Sequence, residues 1–303
     1  MNGLELAERF YETYGRELIE RTVPDALGRI AVGIAGQGSE CFGFDDELSR
    51  DHDYEPGFSI WLTDEDDIKL GVKLARAYRT LPREFEGVKL SSKTGEGSRF
   101  GVSTADGFFR ATVGRTDVPT DPLDWFALPD HVIAVAVNGK IFRDDAGIMT
   151  KRREGFRYGM PGDVRKQKLA ARLALMAQAG EYNYPRMLKR GDEAAARLAV
   201  YEYVKHALAA VYLCAGEPRP YYKWQFRGLL GLPCLSETYA PLSQLVKGGD
   251  CKTTQNAIEE VNAAITRELG ADGTSLDRLA QEMHAGISDR RIRELHLMEY
   301  GAD

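Results

Sequence analysis

Segments that favour β-strands are confined to the first half of this chain, and that restriction limits its fold more than any other feature. Apolar runs rich in β-branched or aromatic residues are typical of strands. Such runs occur at 29–35, 58–63, 87–91, 99–103 and 140–143. Strand signals are almost absent after residue 150. The pattern predicts a small mixed sheet in the first half alone.

Apolar residues recur at helical spacing in both halves of the chain. Repeats at i, i+3 and i+4 place apolar side chains on one face of a helix. In the first half they predict helices over 4–18, 65–80, 106–112 and 129–137. In the second half they predict helices over 164–180, 192–215 and 255–269. The sequence therefore predicts an α+β fold, with a sheet-bearing domain at 1–150 and an all-helical C-terminal domain at 151–303.

Charge and composition narrow the class of protein. The 303 residues carry a formal net charge of −6 at pH 7 and contain no runs of basic residues like those of RNA-binding proteins. Nucleic acid is therefore not expected as a partner. No apolar run approaches the roughly 18 residues that span a bilayer, and residues 1–24 are too acidic for a signal peptide. The four cysteines lack zinc-site spacing and are expected to be free thiols. We expect a cytoplasmic protein without membrane association.

The segment GQGSECFGFDDELSRDHD, residues 36–53, combines three glycines with six acidic residues. Neighbouring carboxylates repel one another unless a positive charge lies among them. Glycines that follow a strand let the backbone approach a phosphate and turn its N–H groups outward. A helix is expected to begin near Ser39, and the N-terminus of a helix attracts anions. The turn that contains Gly38 and Ser39 is therefore a candidate phosphate-binding site.

Two carboxylates follow this turn at Asp51 and Asp53, just before the second predicted strand. Side chains two positions apart on a strand point to the same side. Such a pair beside a phosphate-binding turn could hold one or two Mg²⁺ ions that bridge the phosphates of a nucleotide. His52 is predicted to point away from both and to have a structural role. An acidic loop that is simply solvated remains the alternative interpretation.

Spacing and local motifs resemble those of a known superfamily. Gly38-Ser39, eleven further residues and Asp51-x-Asp53 resemble the signature of the DNA polymerase beta-like nucleotidyltransferases, in particular the aminoglycoside nucleotidyltransferase-like branch. Four motifs are similar to those of a bacterial family, the domain of unknown function 4037. They are GSE at 38–40, SRDHD at 49–53, GEYNYPR at 180–186 and YYKW at 221–224. The resemblance runs from about residue 28 to about residue 235.

This resemblance implies a nucleotidyltransferase-like small mixed sheet flanked by helices and followed by a helical domain. It implies that Gly38 and Ser39 hold a nucleoside triphosphate, and that Asp51 and Asp53 bind Mg²⁺ and serve catalysis. The superfamily usually adds a third carboxylate from a later strand, whereas the expected strand at 99–103 contains no acidic residue. The remaining candidates for that third carboxylate are Glu40, Glu96, Asp106 and Asp144.

The segment PRPYYKWQFR at 218–227 places Lys223 among aromatic residues after a long predicted helix. In one interpretation, Lys223 reaches the triphosphate across a cleft between the domains while an aromatic ring stacks on a base or a ring-shaped substrate. In the other, the aromatic residues pack the helical domain and Lys223 is solvated. The segment GEYNYPRMLKRGD at 180–192 likewise fits either an acceptor-binding loop or an ordered loop between helices.

The sequence as a whole predicts an enzyme that transfers a nucleoside monophosphate from a Mg²⁺-bound nucleoside triphosphate to a hydroxyl of a small-molecule acceptor. An antibiotic, another metabolite or a protein side chain would each fit as that acceptor. A catalytically degenerate nucleotide-binding or regulatory protein of the same fold is the main alternative. The sequence names neither the base of the nucleotide nor the oligomeric state.

Overall fold

The computed structural model describes residues 1–51, 54–89 and 100–299, with the backbone alone for residues 50 and 51. The chain divides into two compact units. The first comprises Met1–Val118 and Val132–Gly159, and the second comprises Pro119–His131 and Met160–Asp303. The chain therefore passes from one unit to the other three times. Whether functional domains divide at residue 150 stays a prediction.

A mixed β-sheet forms the centre of the first unit. The strands of this unit are β1 (Ala31–Ile34), β2 (Ser59–Leu62), β3 (Glu84–Phe85), β4 (Val88–Lys89), β5 (Gly101–Thr104) and β6 (Lys140–Asp144). Four of them make one sheet in the order β5-β2-β1-β6, and β3 and β4 pair separately. β1 is antiparallel to β2 and β6, whereas β2 is parallel to β5. The central strands β1 and β2 are buried along their whole length, which explains their continuous apolar sequence.

Helices cover this sheet. They are α1 (Gly3–Phe10), α2 (Arg16–Thr22), α3 (Asp64–Asp66), α4 (Val72–Tyr78), α5 (Ala105–Val113), α6 (Asp130–Val137) and α7 (Thr150–Tyr158). A π-helical turn joins α1 to α2, so the helix predicted at the N-terminus is continuous. Its Phe10 and Tyr11 rings lie 6.0 and 5.5 Å from the ring of Phe58, at the start of β2. The hydroxyl of Tyr78 donates to the carbonyl oxygen of Phe58 at 2.8 Å, which fixes α4 to the same point.

The second unit is helical. α6 begins in this unit, at Asp130 and His131, and continues in the first. The other helices of the second unit are α8 (Gly162–Met176), α9 (Tyr184–Lys189), α10 (Glu193–Ala215), α11 (Gln225–Leu229), α12 (Tyr239–Lys247), α13 (Cys251–Glu268), α14 (Leu276–Ala285) and α15 (Arg290–Arg293). α8 packs against α10 and α14, and α12 packs against α13. Tyr203 of α10 is fully buried, and its hydroxyl lies 2.7 Å from Asn262 Oδ1 of α13. The loop expected at 180–192 is instead helical as far as Lys189.

A buried ion cluster ties residues 119–131 to the rest of this unit. Lys168 Nζ on α8 donates to Asp130 Oδ1 at 3.3 Å, and Arg219 Nε lies 3.8 Å from Asp130 Oδ2. All three residues are buried. Buried charges are tolerated in proteins when they are paired in this way.

The predicted α+β class is confirmed, with a four-stranded mixed sheet in the first unit and helices in the second. The strands expected at 29–35, 58–63, 99–103 and 140–143 are present with slightly different ends. The strand expected at 87–91 is described only at β4, as part of the separate pair. Across the described residues, no helix is both long enough and apolar enough to cross a membrane.

Candidate functional site

A turn at residues 36–39 follows β1, as the glycines of this segment predict. Gly36 adopts a φ of +146°, which favours glycine over other residues. The side chain of Asn138 bonds to this residue twice. Its Oδ1 accepts from Gly36 N at 3.0 Å, and its Nδ2 donates to Gly36 O at 2.6 Å. The turn is therefore fixed from a position 102 residues along the chain.

The turn leaves donors available. The N–H groups of Gln37, Gly38 and Ser39 donate no hydrogen bond to another residue in the described part of the chain. Successive N–H groups of this kind can form an anion-binding concavity. Gln37 is exposed, whereas Gly38 and Ser39 are buried. A phosphate would approach from the side of Gln37 or displace the residues that cover the other two.

The helix expected to begin near Ser39 is only a single 3₁₀ turn, Glu40–Phe42. It ends at Gly43, which has the left-handed conformation with a φ of +68°. So short a turn has little of the aligned dipole that a long helix N-terminus offers to an anion. The prediction of a helix N-terminus facing the phosphate was wrong, and the available N–H groups of the turn are what remains of that interpretation.

Structural roles account for half of the acidic residues in this segment. Asp45 Oδ2 accepts from Gly3 N at 2.8 Å, at the first turn of α1. Asp46 Oδ1 accepts from the N–H groups of Leu48 and Ser49 at 3.0 and 3.1 Å and so holds the next turn. Glu40 is buried, and Cys41 Sγ donates to its Oε1 at 3.1 Å. Each of these carboxylates therefore accepts at least one hydrogen bond from a donor within the protein.

Asp51 ends a short 3₁₀ helix, Leu48–Asp51, and β2 begins only at Ser59. The argument that Asp51 and Asp53 lie on the same side of a strand was therefore wrong for Asp51. Asp53 and His52 lie outside the described residues, as does the side chain of Asp51. Among the residues that are described, no group of three or more His, Cys, Asp or Glu side chains could hold a metal ion. The metal-binding role of the two aspartates stays a prediction.

The candidates for a third carboxylate have other partners where they are described. Asp106, in the first turn of α5, accepts from Arg152 Nη1 at 2.6 Å. Asp144, at the end of β6, accepts from three backbone N–H groups at the start of α7. Those donors are Ile148, Met149 and Thr150, at 2.8, 3.0 and 2.7 Å. Glu96 lies outside the described residues. β5 itself carries no acidic residue.

Lys223 lies in the second unit, in the 3₁₀ turn Tyr222–Trp224. Its side chain is exposed, and Nζ lies 5.1 Å from the centroid of the Trp224 ring. This contact is a cation–π interaction. Lys223 is thus solvent-exposed, as the second interpretation expects, whereas the neighbouring Tyr221 and Tyr222 are also exposed and do not form a packed cluster. The predicted contact of Lys223 with a triphosphate stays a prediction.

A basic cavity of about 530 Å³ lies beside β6 and α7 in the first unit. Arg153 and Arg157 of α7 line it. Arg153 donates to the carbonyl oxygens of Val137, at 2.9 Å, and Asn138. Burial lowers its pKa to about 10. Sequence reasoning missed this cavity, although the spacing of four residues between the two arginines was a signal for one charged helix face.

Residues 125–225 match one protein family. Its description is Domain of unknown function (DUF4037), and the expected similarity to that family is confirmed over these residues. A solved structure of a nucleotidyltransferase-like protein from Exiguobacterium sibiricum 255-15 is 11% identical to this chain, with a TM-score of 0.34. The match covers 91% of this chain and 80% of that one. No curated protein matches the chain.

Proposed function

We propose that this protein transfers a nucleoside monophosphate from a nucleoside triphosphate to a hydroxyl of a small-molecule acceptor. The turn at 36–39 carries the proposal. Three successive N–H groups have no partner there among the described residues, and Asn138 fixes Gly36 at the start of the turn. Backbone N–H groups directed at a phosphate stabilise its charge, and those of Gly38 and Ser39 would become accessible once the residues that cover them are displaced.

The transfer itself exchanges one phosphorus–oxygen bond for another. The acceptor hydroxyl oxygen bonds to the α-phosphorus, and the bond from that phosphorus to the oxygen bridging toward the β-phosphate breaks. The electron pair of the broken bond leaves with pyrophosphate, and the hydroxyl proton passes to solvent. Gly38 and Ser39 would hold the phosphates through their N–H groups. Asp51 and Asp53 would hold Mg²⁺, which neutralises phosphate charge when bound.

A catalytically degenerate nucleotide-binding or regulatory protein is the second candidate. The contacts of Asp106 and Asp144 favour it, because both carboxylates already have close partners. A protein of this kind would bind the nucleotide without releasing pyrophosphate. Measuring pyrophosphate release with a panel of hydroxyl acceptors, after binding has been established, separates the two candidates.

Binding is tested first by thermal unfolding with each of the four ribonucleoside triphosphates, with and without Mg²⁺. A ligand present at 100 times its dissociation constant adds about 2.7 kcal/mol to the free energy of unfolding. We expect a Mg²⁺-dependent rise in melting temperature for at least one triphosphate. The rise should be lost in Asp51→Asn and in Asp53→Asn.

Glu47→Gln is the matched control, because Glu47 is an exposed carboxylate of the same segment. This variant should keep the full shift. A shift that persists in both aspartate variants would overturn the metal assignment. No shift with any triphosphate would overturn nucleotide binding itself.

A further inference from the structure

A second cavity, of about 410 Å³, lies within the second unit. One wall is a face of α10 that presents Tyr201, Val204, Lys205 and Leu208. A second wall is the segment at 219–226 that leads into α11, and His131 of α6 also lines the cavity. The volume is within the usual range of about 300–1,000 Å³ for small-molecule sites. All of its lining residues except Phe226 lie in the segment 125–225.

Tyrosine rings at this cavity are unusually open to solvent. Tyr201, Tyr221 and Tyr222 line it and are 50%, 49% and 70% exposed. The ring centroids of Tyr221 and Tyr222 lie 4.5 Å apart, and the His131 ring lies 5.9 Å from that of Tyr221. The apolar surface of an aromatic side chain is removed from water only when another ring or apolar group covers it. A planar ligand would provide that cover.

The charged side chains that line the cavity are basic. Its ionisable lining residues, apart from the tyrosines, are His131, Lys205 and Arg219, and none of the lining residues is acidic. Arg219 also pairs with Asp130, 3.8 Å away. A ligand with a negative group would lie beside basic side chains here, whereas a polycationic ligand would meet like charge.

The wall at 219–226 is held in place before any ligand binds. Tyr212 Oη of α10 donates to the carbonyl oxygen of Gln225 at 2.7 Å. Gln225 Nε2 in turn donates to the carbonyl oxygen of Pro220 at 3.2 Å. A pre-formed wall lowers the entropy that binding must overcome.

We propose that this cavity binds a small molecule that carries a planar aromatic ring and a carboxylate. The ring lies against Tyr201 and Tyr221, and the carboxylate faces Lys205. Every residue involved belongs to the second unit. The inference does not depend on nucleotidyl transfer in the first unit, and either can hold without the other.

The test is isothermal titration calorimetry of the full-length protein with three probes. 2-Naphthoate has both a planar ring and a carboxylate, 2-naphthylmethanol lacks the charge, and cyclohexanecarboxylate lacks the planar ring. We expect 2-naphthoate to bind at least several-fold more tightly than either of the others. No binding of 2-naphthoate at millimolar concentration, or equal binding of all three, would overturn the proposal.

Variants locate the bound probe. Tyr221→Ala and Tyr201→Ala should each weaken the affinity for 2-naphthoate by about 3- to 10-fold, the scale of one aromatic contact. Lys205→Gln should weaken the binding of 2-naphthoate and leave the affinity for 2-naphthylmethanol unchanged. Tyr182→Ala and Lys247→Gln are the matched controls, because both side chains are exposed and neither lines the cavity. Binding that the three cavity variants leave unchanged would overturn the proposal.

Competition separates this site from the proposed nucleotide site. Adding Mg²⁺ and ATP should leave the affinity for 2-naphthoate unchanged. Competitive displacement would assign the cavity to nucleotide binding and overturn a separate aromatic carboxylate site. The thermal unfolding series with Asp51→Asn reports on the nucleotide independently, so failure of one proposal is distinguishable from failure of the other.

Discussion

At the level of single residues, the turn after β1 depends on Asn138 and Gly139. Gly139 adopts a φ of +73°, and its N–H donates to the carbonyl oxygen of Cys41 at 2.6 Å. A Cβ atom at Gly139 would lie 1.9 Å from the carbonyl oxygen of Ile34 at the end of β1. Gly139 therefore lies directly against β1, and Asn138 holds the candidate phosphate turn through Gly36.

Replacing Gly139 tests this close approach. Gly139→Ala should lower the free energy of unfolding by about 3–5 kcal/mol, because the left-handed backbone and the contact with β1 both oppose a side chain. Gly114→Ala is the matched control. Gly114 has a φ of +77° with open space around it, so that variant should cost only about 1–2 kcal/mol. Equal losses of the free energy of unfolding in the two variants, measured by urea denaturation, would show that the close approach to Ile34 does not add to the cost.

At the level of secondary-structure elements, a two-point ion pair joins the entry of β1 to α3. Arg29 Nε and Nη2 donate to the two carboxylate oxygens of Asp66 at 3.0 and 2.9 Å. The backbone N–H of Asp66 also donates to Thr63 Oγ1 at 3.1 Å. The hydrogen bonds from Arg29 are the main cause of the lowered pKa of the Asp66 carboxyl.

This lowered pKa predicts a pH dependence of stability. A carboxyl group whose pKa is lower in the folded state stabilises the fold above its unfolded pKa, and that contribution is lost as the pH falls through the folded pKa. The stabilisation should therefore be complete above the ordinary aspartate value of 3.8 and decline below it. Asp66→Asn should cost about 1–3 kcal/mol at pH 7 and should remove this part of the acid dependence.

Glu65→Gln serves as the control for that measurement. Glu65 is an exposed neighbour of Asp66 that pairs with Lys69 at the surface. Its loss should change the free energy of unfolding by less than about 1 kcal/mol, and the decline at acid pH should remain. Urea denaturation of the wild type and both variants at pH 3 to 7 makes the comparison. Identical profiles for wild type and Asp66→Asn would contradict the assignment.

Periodicity and composition predicted the elements well, because they report on burial along one helix or strand. The apolar run at 29–35 gave β1, and the spacing at 192–215 gave α10. The short turn after Ser39 could not be predicted in the same way. Its end depends on Gly43 in a left-handed conformation, and the residue that holds it, Gly139, whose N–H donates to the carbonyl oxygen of Cys41, is distant in sequence. The dipeptide at 138–139 signalled a turn, but nothing local could show what that turn holds.

At the level of the whole molecule, the buried cluster around Asp130 joins a segment from the middle of the chain to α8 and to the segment that follows α10. Asp130→Asn would leave the charges of Lys168 and Arg219 without their shared carboxylate. Removing one partner of a buried ion pair costs about 3–5 kcal/mol. We expect a loss of this size in the free energy of unfolding from urea denaturation.

Asp121→Asn gives the matched comparison, because Asp121 belongs to the same segment and pairs with Arg291 at the surface, 3.0 Å away. That variant should change stability by about 0–1 kcal/mol. A similar, small effect of both substitutions would mean that the charges of the buried cluster are compensated by other groups.

The three crossings of the chain between its units also determine how the protein can form during translation. Residues 119–131 leave the ribosome early, yet Lys168 and Arg219, which neutralise Asp130, are made later. Because ribosomes add roughly 5–20 residues per second, the interval between the synthesis of Asp130 and that of Arg219 is on the order of ten seconds. Throughout that interval the nascent chain carries Trp125, buried in the finished protein, on a segment without its final packing. Chaperone contact with the nascent chain should therefore be concentrated between the synthesis of residue 119 and the completion of α10.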